Sequence, residues 1–255
     1  MQDSQRRSAF FFLFPHVLLA LVLIGFAPTL YLRTLGNPPP IPFYLHVHGM
    51  ILTGWYTVLV VQAWLIRRGH PALHRTLGYW MAAYGVVVIA GGLMATLNVV
   101  ARDMASGVTL DSDIAAAFPE MGAAPGTSYL VFISSVVWTN IGSVCAFAVL
   151  LAAAVLARRR PDWHRRFIVL AATSLIPPAL ARITRWEILG GENPSTVTAM
   201  LFLLIAAVAV HDAVSERRIH RATLTGFLVI LVSTLLAKTI GASAVGHAFV
   251  RQLAS

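Results

Sequence analysis

One cysteine and one lysine are all that this 255-residue chain holds of two common residue types, and charged side chains of every kind make up only 11% of it. A lone Cys145 closes no intramolecular disulfide and builds no cysteine metal cage, and inside an apolar run it reads as a small packing residue. The single Lys238 raises the question of a retinal Schiff base, which needs a lysine near mid-membrane with a carboxylate counter-ion. Lys238 falls near the end of its apolar run, and no Asp or Glu occupies the middle of any run, so that reading is set aside. HExxH, a Gly-rich phosphate loop and a nucleophile elbow are all missing, which leaves hydrolase and nucleotide-driven functions without support. Soluble domains are about a quarter charged. A chain that is 58% hydrophobic instead reads as an integral membrane protein.

About 20 apolar residues cross a bilayer as a helix. Seven such runs are expected, over about 9–31, 44–66, 77–100, 129–157, 167–183, 197–214 and 222–240. The first is about 23 residues long, where a signal-peptide core takes about 7–15, and it reads as a span. The fifth is short and contains Pro177-Pro178, which predicts a kink. Three clusters separate alternate runs: RRGHPALHR (Arg67 to Arg75), RRRPDWHRR (Arg158 to Arg166) and ERRIHR (Glu216 to Arg221). Arginine is costly in hydrocarbon and is retained in the cytoplasm during insertion. The three clusters and the N-terminus hold 13 of the 19 basic residues, which places the N-terminus inside and the C-terminus outside. Such short basic loops serve insertion and anionic-lipid contact, so the net charge of +9 does not point to nucleic acid. Pro71-Ala-Leu-His74-Arg75 and Pro161-Asp-Trp-His164-Arg165 also form a weak internal repeat. After about residue 241 a short outer tail carries Val245, Phe249 and Leu253 on one amphipathic face.

Polar residues inside the runs are the candidates for chemistry. His48, Trp55 and Gln62 are spaced by seven and share one face of the second helix. They read either as a hydrogen-bonded seam between helices or as a cofactor site with His48 as ligand. His46 and His48 diverge by about 200° on a regular helix and converge only if the helix begins at His48. At the inner level, His16, His211 and Asp212 form a candidate divalent-metal set, with His74 or His164 as a further ligand. At the outer level, Arg182, Arg185 and Lys238, with His48, Asn98 and Arg102 at similar depth, form a cationic mouth for an anionic group, lined by Trp186 and Glu187.

The order of motifs resembles a bacterial family of uncharacterised seven-helix membrane proteins. The residues concerned are His48-Gly49 with Trp55 and Gln62, Leu73-His74-Arg75-x-Leu77-Gly78, Pro161-x-x-His164-Arg165-Arg166, Pro178 with Arg182, and His220 before Ala222-Thr223-Leu224-x-Gly226. The resemblance covers about 45–240 and implies no particular activity. Arg221 stands where the family pattern has proline, and Lys238 stands where it has arginine, which loses the forked geometry of a guanidinium. Over two helices, those of His48 and of His74-Arg75, the chain is similar to b-type membrane cytochromes of the bis-histidine kind, which implies haem.

The sequence therefore predicts an all-α bundle of seven transmembrane helices, one domain over 1–240 with a tail over 241–255, multi-pass in a bacterial inner membrane. Three functions stay open. His48, His46 and Gln62, or His16, His211 and Asp212, hold haem or a divalent metal for redox or metal-assisted chemistry. Alternatively, Arg182, Arg185 and Lys238 bind or transport an anionic amphiphile without a cofactor, or the chain is a structural scaffold. The expected partners are membrane lipid and a lipid-soluble or anionic small molecule.

Overall fold

Proline sets where the helices begin. Pro71, Pro161 and Pro177 each stand in the first turn of a helix, where the missing N–H has no helical acceptor to lose and the fixed φ suits the helix. The computed structural model describes residues 2–35, 41–118, 125–185 and 194–255. Its helices are α1 (Gln2–Phe26), α2 (Phe43–Arg67), α3 (Pro71–Leu97), α4 (Val99–Ala105), α5 (Ile114–Ala117), α6 (Tyr129–Leu156), α7 (Pro161–Ser174), α8 (Pro177–Thr184), α9 (Pro194–Glu216), α10 (Arg221–Gly241) and α11 (Ala244–Leu253). Among the described residues there is no strand, only an isolated bridge between Asp113 and Ser128. The helices starting at Pro71 and Pro161 begin six residues before the apolar runs of the sequence, because a polar first turn is invisible to a hydropathy count.

Six helical stretches are long and apolar enough to cross a membrane: Ala9–Tyr31, Phe43–Arg67, Pro71–Ala105, Tyr129–Leu156, Ser195–Glu216 and Arg221–Gly241. The pair α7 and α8, bent by 46°, makes a seventh if it counts as one span. The bend has a local cause: Pro177 and Pro178 offer no N–H to the turn before them. The carbonyls of Ala172 and Thr173 accept instead from the Leu175 and Ile176 amides, and the Ser174 hydroxyl caps Ala171.

The first piece of this broken segment is the centre of the bundle. α7 packs against α1, α6, α9 and α10, and Tyr56 of α2 donates its hydroxyl to the Ala172 carbonyl at 2.8 Å. Arg166, Phe167 and every residue from Val169 to Ser174 are buried. A helix covered by its neighbours needs no lipid-compatible surface, and small side chains such as Ala171, Ala172 and Ser174 let those neighbours approach closely. α8 continues the rod with Pro177, Ala179, Leu180, Ile183 and Thr184 buried.

The end of the bundle away from the arginine clusters carries a second, smaller apolar cluster around Val100, Ile114, Tyr129, Ile133, Val137 and Val250. α11 belongs to it, packed on α6 and α4, with the Trp138 ring 5.3 Å from that of Phe249. Its covered face is Gly246, Phe249, Val250 and Leu253, whereas Val245 is 73% exposed. The tail is amphipathic as read from the sequence, but its inward stripe is rotated by about one residue.

Gly25 marks a tight backbone crossing of α1 on α8. A methyl group there would lie 2.5 Å from the Ala179 carbonyl oxygen, and main chain cannot rotate away as a side chain can. Gly25→Ala should force α1 off α8 and cost about 1–3 kcal/mol. Thermal unfolding of the detergent-solubilised variant, read by circular dichroism, would show a lowered midpoint. An unchanged midpoint would mean that the crossing is loose.

Candidate functional site

Two carboxylates one helical turn apart, Asp212 and Glu216, lie in the last turns of α9, where like charges at i, i+4 and the negative end of the helix dipole both oppose them. Arg166 of α7 resolves the conflict. Its side chain and that of Asp212 are fully buried; Nε reaches both Asp212 oxygens at 3.0 and 3.2 Å, and Nη2 donates to Asp212 and to Glu216. Asp212 Oδ2 also accepts from the Thr223 hydroxyl and from the His220 amide. Arg165 bonds Asp162 at 2.6 Å and lies over the Phe11 ring. Carboxylate, guanidinium, hydroxyl and amide saturate one another, and the second and third arginine clusters of the sequence meet here. The sequence reading took Arg166 for an insertion anchor only. The available signal was the acidic pair at i, i+4 in a chain with ten carboxylates.

This arrangement corrects the candidate metal set. Asp212 has its oxygens committed to Arg166, Thr223 and His220. His211 is stacked on Phe10, ring centroids 4.2 Å apart and planes within 6°. His16 Nδ1 donates to the Phe12 carbonyl, 2.8 Å away on its own helix. Among the described residues no three His, Cys, Asp or Glu side chains form a group fit to hold a metal ion. His74 and His164, the histidines of the two P-x-x-H-R copies, face each other with centroids 6.3 Å apart, and His164 Nδ1 bonds the Ala154 carbonyl at 2.9 Å.

The stripe on α2 is present. It lies against a row of glycines on α3, running the opposite way. A methyl group on Gly78 would meet Gln62, one on Gly85 would meet Trp55, and one on Gly91 would meet Ile51 and the His48 ring. Trp55 is fully buried beside Phe147, centroids 5.0 Å apart and nearly perpendicular. The buried atoms Trp55 Nε1, Gln62 Oε1 and His48 Nδ1 have no hydrogen-bond partner. The seam combines close packing against glycine with a hydrogen bond across it, the Tyr84 hydroxyl donating to the Ile51 carbonyl at 2.7 Å. α2 begins at Phe43, so His46 and His48 both lie on regular helix, and their rings diverge by about 200°. The two cannot ligate one ion together.

At the far end of the stripe stands Arg182 of α8, a helix packed on α1. Its guanidinium lies over the Phe26 ring of α1, 4.3 Å from the centroid, and Nη1 donates to the Pro178 carbonyl at 2.9 Å. Thr29 follows Phe26 by one turn, and its carbonyl accepts from Arg33 at 3.2 Å. Tyr44 precedes His48 by one turn of α2. The Thr29 and Tyr44 hydroxyls are buried and, like His48 Nδ1, have no partner. Arg185 closes α8. Lys238 is exposed on α10, a helix that packs on α6, α7, α9 and α11, and the structure does not bring it to His48. Trp186 and Glu187 lie outside the described residues. Cys145, expected to pack, is exposed on the apolar surface of α6.

Comparisons of the chain with family models, curated proteins and solved structures give no match. Function is therefore argued from these two ends alone. Buried polar atoms without a hydrogen-bond partner occur at both ends: Arg165 Nε, His211 Nε2 and His74 Nδ1 near the arginine clusters, and the Thr29 and Tyr44 hydroxyls at the other. Sequence reading missed Thr29 and Tyr44 because hydroxyls at span ends are unremarkable until their surroundings are known.

Removing one side of the buried ion pair should be far worse than removing both. Arg166→Met or Asp212→Leu alone should cost about 3–5 kcal/mol, and the double replacement should recover most of it. A double-mutant cycle on thermal midpoints tests this, and additive losses would refute the coupling. The His220 ring caps α10 by accepting from the Ala222 amide at 3.0 Å. Burial, then the nearby Arg166 charge, hold His220 below the ordinary histidine value of 6.5. The unfolded chain then takes up the proton more readily, so this contribution is complete above pH 6.5 and declines as pH falls through the window below it. His220→Asn keeps a capping group. It should flatten the fall in thermal midpoint between pH 7 and 5, and an unchanged slope would assign the titration elsewhere.

Proposed function

We propose that the chain is a cofactor-free binding protein of a bacterial inner membrane, which captures an anionic amphiphile at the outer end of its bundle. The observation that carries this reading is the seat of Arg182, whose guanidinium lies over the Phe26 ring, 4.3 Å from its centroid, at the end of the bundle away from the arginine clusters. A guanidinium over an aromatic ring in apolar surroundings attracts an anion more strongly than one in water. A lipid-soluble anion reaches such a place from the bilayer without crossing bulk water.

The orientation follows the arginine clusters, with the N-terminus in the cytoplasm. α7 rises about 21 Å and α8 about 12 Å. With a bend of 46° the second piece keeps advancing and does not turn back, so together they cover about the 30 Å of a hydrocarbon core. Seven crossings put the termini on opposite sides, and six would put them on the same side. Alkaline phosphatase fused after Ser255 should therefore be active in intact cells, and an inactive fusion with an active cytoplasmic reporter at that point would reject the seventh crossing.

Mass spectrometry of lipid carried through purification tests the binding. The wild-type chain should retain an anionic amphiphile above its share of the membrane extract. Arg182→Ala should reduce that enrichment at least tenfold, and His48→Gln should reduce it less. Equal lipid content in all three folded proteins would remove the proposal.

A further inference from the structure

A second cationic surface lies at the opposite end of the molecule from Arg182. We propose that Arg67 and Arg68, where α2 ends against α1, hold the phosphate of an anionic lipid in the leaflet that faces the arginine clusters. This site is separate from the outer one and does not depend on it.

Carboxylates at this end are scarce and already taken. Asp162, Asp212 and Glu216 bond Arg165 and Arg166, and among the described residues Arg67 and Arg68 have no carboxylate partner. Both are exposed, yet neither guanidinium simply extends into solvent. That of Arg67 lies over the Phe12 ring of α1, 4.3 Å from its centroid, and that of Arg68 over the Trp64 ring, 5.0 Å away. Phe12 is itself held in place. The His16 ring packs on it with centroids 4.7 Å apart, and His16 Nδ1 donates to its carbonyl. The dipole of α2 favours a cation in the last turn, but it does not call for one laid across a neighbouring helix. An aromatic ring beneath a guanidinium occupies its face and leaves its N–H edge for an anion, so less freedom is lost when that anion arrives.

Depth then identifies the anion. Arg67 and Arg68 flank Trp64 around α2, about 60° and 40° to either side of it, and tryptophan favours the level of lipid headgroups. The surface beside them is apolar. Val61 and Trp64 are 39% and 43% exposed, and Leu13, next to Phe12, is 55% exposed. Guanidinium next to uncovered aliphatic surface complements a phosphodiester that carries acyl chains, whereas a soluble anion would use the guanidinium alone. The forked donors of arginine take two phosphate oxygens at once, where lysine offers a point charge. Insertion requires only charge. The ring seats distinguish these two arginines from the exposed Arg159 and Arg160 of the second cluster, which lie over no ring among the described residues.

The test uses the full chain in nanodiscs of phosphatidylcholine containing a small fraction of dioleoyl phosphatidylglycerol with a photoreactive headgroup. Binding is read by native mass spectrometry and by the peptide that becomes labelled. The label should fall at the end of α2, and phosphatidylglycerol should be retained at least tenfold above its share of the disc. Arg67→Lys with Arg68→Lys keeps both charges and loses the fork, so this variant should fold with an unchanged midpoint and retain at least threefold less. Arg67→Gln with Arg68→Gln should lower retention at least tenfold. Arg159→Gln with Arg160→Gln removes the same charge from the same side and should leave retention within twofold. Equal losses in the two glutamine pairs would mean a diffuse basic surface and overturn the proposal, as would retention unchanged by the lysine pair. Displacement by millimolar inorganic phosphate would overturn a lipid as the occupant, and failure to displace would support it. Label confined to the outer ends of α1 and α8 would overturn this site and leave amphiphile capture there standing.

Discussion

A charge buried without a partner is among the most expensive things a protein can hold, and the architecture of this bundle follows from how it avoids that cost at Arg166. The guanidinium is fully buried in the central helix, and its partners come from the end of α9 and the start of α10. Desolvating the pair is costly and its mutual attraction offsets that only with good geometry, so its main effect is on specificity. Any shift of α7 along its axis by one residue, about 1.5 Å, would part Nη2 from Asp212 and leave three ionised groups in apolar surroundings. Packing alone tolerates such slips, because small residues such as Ala171 and Ala172 present little relief. The ion pair supplies the register that the apolar surface lacks, and α6, α10, α9 and α1 close around a helix whose axial position is already determined.

The two ends of the molecule handle polar groups in opposite ways. Near the arginine clusters every oxygen of Asp212 is engaged, and the aromatic rings of Phe10 and Phe11 cover His211 and Arg165. That end holds the buried ion pair, which suits a structural role. At the opposite end no such pair is seen among the described residues, and the Thr29 and Tyr44 hydroxyls have no partner. Between them, α2 and α3 pack through glycine and tryptophan, with the Tyr84 hydroxyl donating to the Ile51 carbonyl across the junction.

Much of the helical plan was legible from composition and run length. Six apolar runs reappear as helices, and Pro177-Pro178 announced the break in the remaining one. The heptad stripe on α2 was legible too, since periodicity along one helix needs no knowledge of its neighbours. What faced the stripe was not. The glycines of α3 share its period, but only the antiparallel pairing of the two helices brings Gly78 to Gln62 and Gly85 to Trp55. The candidate metal set failed for the same reason. His16, His211 and Asp212 were grouped by depth, and depth does not reveal that Arg166, 46 positions before Asp212, arrives at that carboxylate first. Lys238 was grouped with Arg182 by depth and sits on a helix that packs elsewhere.

The separation of 46 positions between Arg166 and Asp212 also has a consequence for biogenesis. Chains elongate at about 5–20 residues per second, so roughly 2–9 s pass between the synthesis of the arginine and that of its carboxylate. During that interval α1 and α6 are already made, but neither Asp212 nor the flank of α9 and α10 that closes over α7 exists. The pairing that fixes the axial position of the central helix therefore forms only after α9 is synthesised.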